Sequence, residues 1–375
     1  MHWITIDAER GERIPVQDPQ LIPIWEKVHN GERLTFEDGV RLFTTDDILT
    51  LGRMADWVKR QKSGDRVYFV INRYINPTNI CVLSCKFCDF ARKKTDPDAY
   101  VVSHSSVLET LNEEIREVHI VGGHHPDLPF EWYEELLRAI HTRFPHIQIK
   151  AFTASEIDYF SRRWKIPPEE ALTRLRAVGL VMLPGGGAEI LTDRIHRLLY
   201  PGKASPERWL EIHRIAHRLG IRSNATMLFG HIETVEERVA HLCRLRELQD
   251  ETGGFLTFIP LTYQPGHTRL VPRPAGPIDE LRTVAAARLM LDNFPHVEAY
   301  WVTMGESTAS IALTFGADDI NGTLGEEQIM HAAGACSPVE LTRERILRLI
   351  RAAGRIPVER DALYRVVRIY TEVAA

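Results

Sequence analysis

Short runs of β-branched and aromatic residues alternate with amphipathic stretches over most of the chain. The runs predict strands at Val67–Ile75, Val118–Val121, Ile147–Thr153, Leu180–Leu183, Ser223–Phe229, Phe255–Thr262, Val297–Thr303 and Ile311–Phe315. The stretches between them have helical periodicity and predict helices at Ser105–Glu117, Phe130–Phe144, Pro168–Val178, Pro206–Leu219, Val235–Asp250 and Ile278–Phe294. Because each helix returns the chain to the same edge, this alternation requires a parallel sheet.

Two parallel α/β folds are compatible with this pattern. Eight strand–helix units over about 250 residues are typical of a (β/α)8 TIM-type barrel. A doubly wound open sheet is the alternative, but it usually carries a glycine-rich turn after its first strand, where this chain has cysteines. Glycine or polar residues follow the predicted strands, at Asn76, Gly122, Ser155, Gly185 and Gly230. In a barrel they would meet at the C-terminal rim, where active sites are built, so the barrel is favoured.

The barrel is predicted to occupy residues 66–322. Residues 1–65 are predicted to form a helical N-terminal extension, with helices at Leu21–His29, Phe36–Phe43 and Asp46–Arg60. Residues 323–375 are predicted to form C-terminal helices packed on the barrel, at Glu326–Ala333 and Pro338–Ala353.

Composition narrows the class of protein. The 375 residues are 44% hydrophobic and 26% charged, which is typical of a globular protein and excludes extensive disorder. A formal net charge of −5 argues against nucleic acid as the main partner. No apolar run approaches the roughly 18 residues of a membrane span, and the N-terminus does not resemble a signal peptide. We therefore expect a cytoplasmic protein without a membrane partner.

Three of the five cysteines, Cys81, Cys85 and Cys88, fall within eight residues. An odd, clustered set indicates metal or redox chemistry more than a disulfide framework. A buried helical stripe is one alternative, although Pro77 and the polar flanking residues favour a loop. Structural zinc is another, but it prefers four ligands, and no fourth cysteine or well-placed histidine follows. Three thiolates are suited to an iron–sulfur cluster that keeps one open iron.

The spacing Cys-x3-Cys-x2-Cys, with Phe87 before the last cysteine, resembles the radical S-adenosylmethionine (SAM) superfamily. The resemblance implies a 4Fe–4S cluster whose free iron binds SAM. One electron then cleaves SAM to methionine and a 5′-deoxyadenosyl radical. It also implies a flavodoxin or ferredoxin-type electron donor. The basic run Arg92-Lys93-Lys94 is a candidate docking patch for that donor, and a solvated loop edge is the alternative.

The resemblance also implies SAM-binding residues. Gly122 and Gly123 match the turn whose backbone binds the methionine amino group, although a tight turn alone would also require glycine. Glu189 and Arg208 resemble a pair that binds the ribose and the methionine carboxylate, with a surface salt bridge as the alternative. Met227 lies in a segment that packs on adenine in relatives, although a Met-Leu-Phe run is more often part of the hydrophobic core.

Further segments resemble the aminofutalosine synthase family of menaquinone biosynthesis, at residues 124–130, 151–159, 183–189, 258–261, 315–319 and 354–360. This implies a small-molecule substrate, 3-[(1-carboxyvinyl)oxy]benzoate, to which the 5′-deoxyadenosyl group of SAM is joined to give 6-amino-6-deoxyfutalosine. The alternatives are a dehypoxanthine futalosine cyclase, a deazaflavin-synthase-like radical SAM enzyme, and a non-enzymatic iron–sulfur or zinc module. One departure from the synthase pattern is His124, where leucine is more usual.

Such a substrate is a dianion, so the rim should offer cations or hydrogen-bond donors to it. The candidates are Arg73, Thr153, Glu156, His267 and Arg269. The alternatives are an outward-pointing strand residue for Arg73 and a solvated loop for His267 and Arg269.

Overall fold

The computed structural model describes residues 2–7, 12–325 and 327–371. The chain begins with an antiparallel hairpin of β1 (His2–Asp7) and β2 (Glu12–Val16), followed by α1 (Leu21–His29), α2 (Phe36–Thr44) and α3 (Ile48–Ser63). The three predicted helices are confirmed. The prediction that this segment is entirely helical is wrong, since it begins with the hairpin. The hairpin buries only Ile4 and Ile6 in one strand and Ile14 and Val16 in the other. So short an alternation does not stand out in the sequence.

Strands and helices then alternate as far as residue 322. They are β3 (Arg66–Val70), β4 (Asn72–Ile75), α4 (His104–Glu109), β5 (Glu117–Ile120), α5 (Phe130–Arg143), β6 (Gln148–Ala151), α6 (Ala154–Trp164), α7 (Pro168–Ala177), β7 (Leu180–Leu183), α8 (Asp193–Leu199), α9 (Pro206–Arg218), β8 (Arg222–Phe229), α10 (Val235–Thr252), β9 (Phe255–Thr262), α11 (Pro277–Met290), β10 (His296–Val297), α12 (Trp301–Met304), α13 (Glu306–Ala312) and β11 (Asp319–Gly322). Four helices of this series, α6, α8, α12 and α13, were not predicted.

The strands form a TIM-type barrel, as predicted. Seven parallel strands follow one another in the order β4-β5-β6-β7-β8-β9-β10. A bridge between Glu298 and Asp319 links the end of β10 to β11, and β11 pairs in parallel with β3. Because β3 continues through Ile71 into β4, the ring of strands returns to its starting point.

The last strand prediction within the barrel is wrong, and the one before it is correct only at its start, because β10 ends at Val297. Residues Ile311–Phe315 form the end of α13 and a turn, and most of Val297–Thr303 belongs to α12 and its approach. The eighth strand is β11, Asp-Ile-Asn-Gly, whose polar side chains are buried and hydrogen-bonded. A buried strand without an apolar run escapes a search based on hydrophobicity.

The C-terminal segment was predicted to be helical, and this is also wrong in part. It contains α14 (Ile329–Ala332) and α15 (Arg343–Ala352), but then β12 (Ile356–Arg360) and β13 (Val366–Ile369). β12 pairs in parallel with β3, and β13 pairs antiparallel with β12. Glu326, the first residue of one predicted helix, lies outside the described residues, as do residues 1, 8–11 and 372–375. The domain boundaries stay a prediction.

The interior of the barrel is polar below its rim. In β5, Val118 and Ile120 are fully buried on one face of the strand. Glu117 and His119 lie on the opposite face, which points into the barrel. Lys150 Nζ of β6 lies 2.7 Å from Glu117 Oε1, and both side chains are almost completely buried. Among the described residues, no helix is long and apolar enough to cross a membrane.

Candidate active site

A cavity of about 250 Å³ lies at the C-terminal ends of the strands. Its wall includes nine of the residues singled out from the sequence: Cys81, Cys85, Phe87, Cys88, Gly122, Gly123, Thr153, Glu156 and Glu189. The rim position of these residues is therefore as predicted, although their individual roles stay predictions.

The three cysteines lie in a loop fixed by backbone hydrogen bonds. The Cys81 N–H donates to the Arg92 carbonyl (2.9 Å), and the Cys88 N–H donates to the Cys85 carbonyl (3.2 Å). Lys93 Nζ donates to the carbonyl oxygens of Cys81 (3.3 Å) and Leu83 (3.2 Å). The three thiols are free, and burial raises the pKa of Cys85 to about 12 and also raises the pKa of Cys88.

This arrangement fits an iron–sulfur cluster better than a single metal ion. Among the described residues, no three His, Cys, Asp or Glu side chains are gathered closely enough to hold one ion. A cluster bonds each thiolate to a different iron atom, so its ligands need not converge on one point. Three thiols that line one cavity provide such a set, and the cavity leaves room beside it for a ligand of the fourth iron.

The Gly122-Gly123 turn packs directly against the backbone that leads into the cysteine loop. A Cβ atom on Gly123 would lie 2.3 Å from the carbonyl oxygen of Ile80, so no larger residue fits. The Gly123 N–H donates to the Thr78 carbonyl (2.8 Å), and the Gly122 N–H donates to Glu156 Oε1 (3.1 Å). The backbone carbonyls therefore remain as acceptors for the amino group of a ligand.

Glu156 and Thr153 form the capping box of α6. Glu156 Oε2 accepts from the Thr153 N–H (2.7 Å) and hydroxyl (2.9 Å), and the Thr153 hydroxyl accepts from the Glu156 N–H (3.2 Å). Burial raises the pKa of Glu156 to about 7. Both residues line the cavity, but these hydrogen bonds are internal. Their predicted contact with substrate stays a prediction.

Glu189 forms a buried ion pair with Lys203, which the sequence analysis missed. Lys203 Nζ lies 2.5 Å from Glu189 Oε1 and 5.2 Å from the centre of the Phe87 ring. Burial acts to lower the pKa of Lys203, but Glu189 and the neighbouring cysteines raise it above its usual range. Lys203 therefore brings a positive charge into the cavity beside the cysteine loop. The sequence gives no sign that Lys203 enters the cavity, because it is a single lysine in a loop without a motif around it.

Five predicted site residues are not found among the described residues that line the cavity: Arg73, Arg208, Met227, His267 and Arg269. Arg208 Nε donates to Asp158 Oδ1 (2.9 Å), and its Nη1 donates to Glu211 Oε2 (2.8 Å). Met227 is fully buried in β8, between two residues that do line the cavity.

The remaining three of these residues lie elsewhere on or below the rim. The guanidinium of Arg73 lies beside Gly325, where an added Cβ would be 2.7 Å from Nη1. His267 and Arg269 are exposed, and the backbone N–H of His267 donates to Asp89 Oδ2 (2.9 Å). The proposed contacts of all five residues stay predictions.

The floor of the cavity contains an aromatic cluster that the sequence analysis also missed. The rings of Tyr74 and His119 are stacked with their centres 4.2 Å apart, and the side chain of Tyr300 lies close to that of Tyr74. His119 Nδ1 is buried without a hydrogen-bond partner among the described residues. Burial and the charge of Lys150 lower the pKa of His119 well below its usual value.

His124, the departure from the synthase pattern, lies in the cavity wall. Its ring stacks on that of Tyr159 with the centres 4.8 Å apart, and its Nδ1 has no hydrogen-bond partner among the described residues. Burial lowers its pKa to about 3, so the imidazole is neutral at pH 7.

Family comparisons agree with this site. The model of the radical SAM superfamily matches residues 75–245, and that of the CofH/MqnC C-terminal region matches residues 252–373. An aminodeoxyfutalosine synthase from Thermus thermophilus is 48% identical over 96% of this chain and 99% of its own length. This chain belongs to the radical SAM superfamily and groups within it with the aminodeoxyfutalosine synthases.

Other radical SAM relatives extend the comparison. An aminodeoxyfutalosine synthase from Streptomyces coelicolor is 43% identical over 92% of this chain and 93% of its own length. A cyclic dehypoxanthine futalosine synthase from the same organism is 39% identical over 94% of this chain and 90% of its own length. The crystal structure of methylornithine synthase has the same fold, with a TM-score of 0.70 and 18% identity over 89% of this chain and 97% of that one.

As a radical SAM enzyme, the protein uses a 4Fe–4S cluster and SAM. Cys81, Cys85 and Cys88 carry the superfamily's cysteine pattern, and they line the cavity described above.

Proposed function

We propose that this radical SAM enzyme joins the 5′-deoxyadenosyl group of SAM to 3-[(1-carboxyvinyl)oxy]benzoate, with loss of one carboxyl-derived carbon as carbon dioxide, and forms 6-amino-6-deoxyfutalosine, a step of menaquinone biosynthesis. The observation that carries the proposal is the 48% identity, over nearly the whole length of both chains, to an aminodeoxyfutalosine synthase. The similarity to the cyclic dehypoxanthine futalosine synthase is lower, at 39%.

The residues of the cavity would bind SAM at the rim. When bound and reduced, the cluster held by the three cysteines supplies the electron that cleaves SAM to methionine and the 5′-deoxyadenosyl radical. We assign the methionine amino group to the carbonyls of Gly122 and Gly123, and the ribose hydroxyls to Glu189. Lys203 is better placed than Arg208 for the methionine carboxylate, because Lys203 lines the cavity beside its partner Glu189, whereas Arg208 lies outside the cavity wall and pairs with Asp158 and Glu211.

The cavity wall would also keep water away from a reactive radical. Leu228, Ile259, Leu261 and Met330 contribute apolar side chains to it. The vinyl carbon of the substrate must lie within about 3–3.5 Å of the adenosyl carbon for addition to compete with other reactions. A packed apolar wall restricts the approach of the two groups.

The electron donor in this proposal is a flavodoxin or a ferredoxin-type protein. In the basic run predicted to dock it, Arg92 Nε pairs with Asp98 Oδ2 (2.6 Å), and Lys94 Nζ pairs with Asp127 Oδ2 (2.7 Å). Lys93 binds the carbonyls of the cysteine loop. The surface beside the cluster therefore carries partly compensated charge. Docking at this surface would weaken with salt only moderately.

Mass spectrometry can test the reaction directly. Anaerobically reconstituted protein is incubated with the enolpyruvyl benzoate and with SAM labelled in its ribose. We expect the label in a covalent adduct of adenosyl and aryl groups. A parallel incubation contains dehypoxanthine futalosine in place of the enolpyruvyl benzoate. If this compound is consumed there, with the label in free 5′-deoxyadenosine, and no adduct forms with the benzoate, the enzyme is a cyclase and the proposal is wrong.

A further inference from the structure

The cavity has two levels, which follow from the strand register. Gly122 is at the rim, whereas His119 lies three residues earlier in β5, about 10 Å deeper at the usual rise per residue. Tyr74 of β4 is the direct register partner of His119, so the two rings share the floor of the cavity. The groups assigned to SAM are all at the upper level.

The floor is chemically unlike the rim. It presents aromatic rings and the neutral hydrogen-bonding groups of His119, Tyr300 and Asn321. Asn321 is itself fixed, because its Nδ2 donates to Glu298 Oε1 (2.7 Å) and its Oδ1 accepts from Asn72 (3.2 Å). The imidazole of His119 is different, since its Nδ1 lacks a partner among the described residues.

The acidic groups near the floor of the cavity are paired or neutral, so they would not repel a carboxylate bound there. Lys150, the register neighbour of His119 in β6, forms an ion pair with Glu117. Burial raises the pKa of Glu298, which favours the neutral form of that carboxyl. The carboxylate of Glu327, which also lines the cavity, accepts from the backbone N–H groups of Ile329 and Met330 and from His331. The nearby acidic groups are thus already compensated.

These features fix the orientation of an aryl substrate, if the function proposed above is correct. The vinyl group must face the adenosyl carbon at the rim, so the opposite end, the benzoate carboxylate, must point down. We infer that Tyr74, His119 and Tyr300 form the subsite of the aromatic ring, and that the His119 imidazole hydrogen-bonds the benzoate carboxylate. His119 is then a substrate-binding residue.

Two substitutions at His119 separate this role from a structural one. His119→Phe keeps a ring against Tyr74 but removes both nitrogens, and His119→Gln keeps a hydrogen-bond donor. We expect His119→Phe to raise the KM for the enolpyruvyl benzoate about ten- to hundred-fold, with SAM affinity unchanged. His119→Gln should be affected less. Tyr133→Phe, which removes a buried hydroxyl outside the cavity wall, should leave the KM unchanged and is the matched control.

A competition experiment gives an independent readout. In the wild-type protein, 3-hydroxybenzoate should compete with substrate better than 3-hydroxybenzamide, because only the former offers a carboxylate to His119. His119→Phe should abolish this preference even if the variant is less stable. If His119→Phe keeps both the preference and the wild-type KM, the inference is wrong. If the wild-type protein forms no adenosyl adduct, the proposed function fails instead.

Discussion

The buried Lys203–Glu189 pair raises the question of why two charges are held inside the protein. Removing both ions from water has a desolvation penalty that their attraction need not offset, so such a pair is a weak source of stability. Its position offers another reason. Lys203 lines the cavity next to Phe87 and the cysteine loop, where a zwitterionic ligand such as SAM would bind.

Substituting both members of the pair tests this role. The double variant Lys203→Met/Glu189→Gln leaves no unpaired buried charge, and we expect it to lower SAM affinity at least about ten-fold. Arg208→Met should lower it much less, because Arg208 is bound to Asp158 and Glu211. Equilibrium dialysis with labelled SAM provides the measurement. Loss of affinity in Arg208→Met alone would restore the role first predicted for that residue.

The cysteines have a sharper test. Cys81→Ala, Cys85→Ala and Cys88→Ala should each prevent assembly of an intact 4Fe–4S cluster and abolish activity, because each removes one of three thiolate ligands. Cys243→Ala is the control and should keep the cluster, since Cys243 lies in α10 and does not line the cavity. Iron and sulfide analysis with electron paramagnetic resonance decides the matter. Stoichiometric zinc without iron in the wild-type protein would contradict the assignment.

At the scale of elements, hydrophobic patterning predicted the central strands well. β7 and β9 have the bounds that were predicted, and the helices α5, α7, α9 and α10 differ by one or two residues at their ends. These elements have a continuous apolar run or one clear apolar face. β11 and β12 do not, because their interior positions hold ion pairs such as Arg360–Asp319 (2.6 Å). Such strands depend on partners from distant parts of the chain, which local patterns cannot reveal.

The same limit of local patterns explains which residues of the candidate site could be predicted from the sequence. The cysteine loop, the glycine turn and Glu189 belong to short motifs and were found, whereas Lys203 and Tyr300 enter the cavity through tertiary packing alone. His119 did leave a signal. In β5 the polar residues Glu117 and His119 alternate with the apolar residues Val118 and Ile120, and such alternation in a strand covered by helices indicates that the polar face lines the barrel interior.

α14 contributes a pH-dependent element beside the cavity. A hydrogen bond from His331 to Glu327 raises the pKa of His331 to about 9, above the usual value of about 6.5. Its stabilising effect is therefore complete below pH 6.5 and is lost as the pH rises towards 9. We expect His331→Gln to lower the melting temperature at pH 6 by on the order of 1 °C and by less at pH 9.5. Calorimetry at both pH values checks this, and an equal loss at each would contradict it.

At the scale of the whole molecule, Arg355 ties the C-terminal segment to the N-terminal helices. Its guanidinium pairs with Asp56 of α3 and with Asp65 (3.0 Å), and its Nε donates to the Leu313 carbonyl (3.2 Å). Arg355 is only 5% exposed. The buried guanidinium of Arg355 therefore connects the C-terminal segment to the end of α3 and to the turn after α13, which are far apart in the sequence.

Removing that charge should destabilise the fold without altering the site. We expect Arg355→Met to lower the free energy of unfolding by about 2 kcal/mol, because Asp56 loses its buried partner and keeps only the more exposed Arg60. Arg53→Met is the matched control. It breaks the exposed pair with Glu12 and should change stability by less than about 0.5 kcal/mol. Denaturant titration measures both variants, and similar losses would show that the Arg355 network is not a special anchor.

The position of β3 has a consequence for how the protein is made. Both of its sheet neighbours, β11 and β12, come from the last sixty residues, so the partners of Arg66 include Ile356, about 290 residues later. At translation rates of about 5–20 residues per second, β3 is synthesised about 15–60 s before β12. β3, which continues through Ile71 and β4 into the cysteine loop, lacks both of its sheet partners for most of that time, although β4 can pair with β5 much earlier. We therefore expect insertion of the iron–sulfur cluster to follow release of the completed chain, and nascent chains stalled before β12 to remain iron-free.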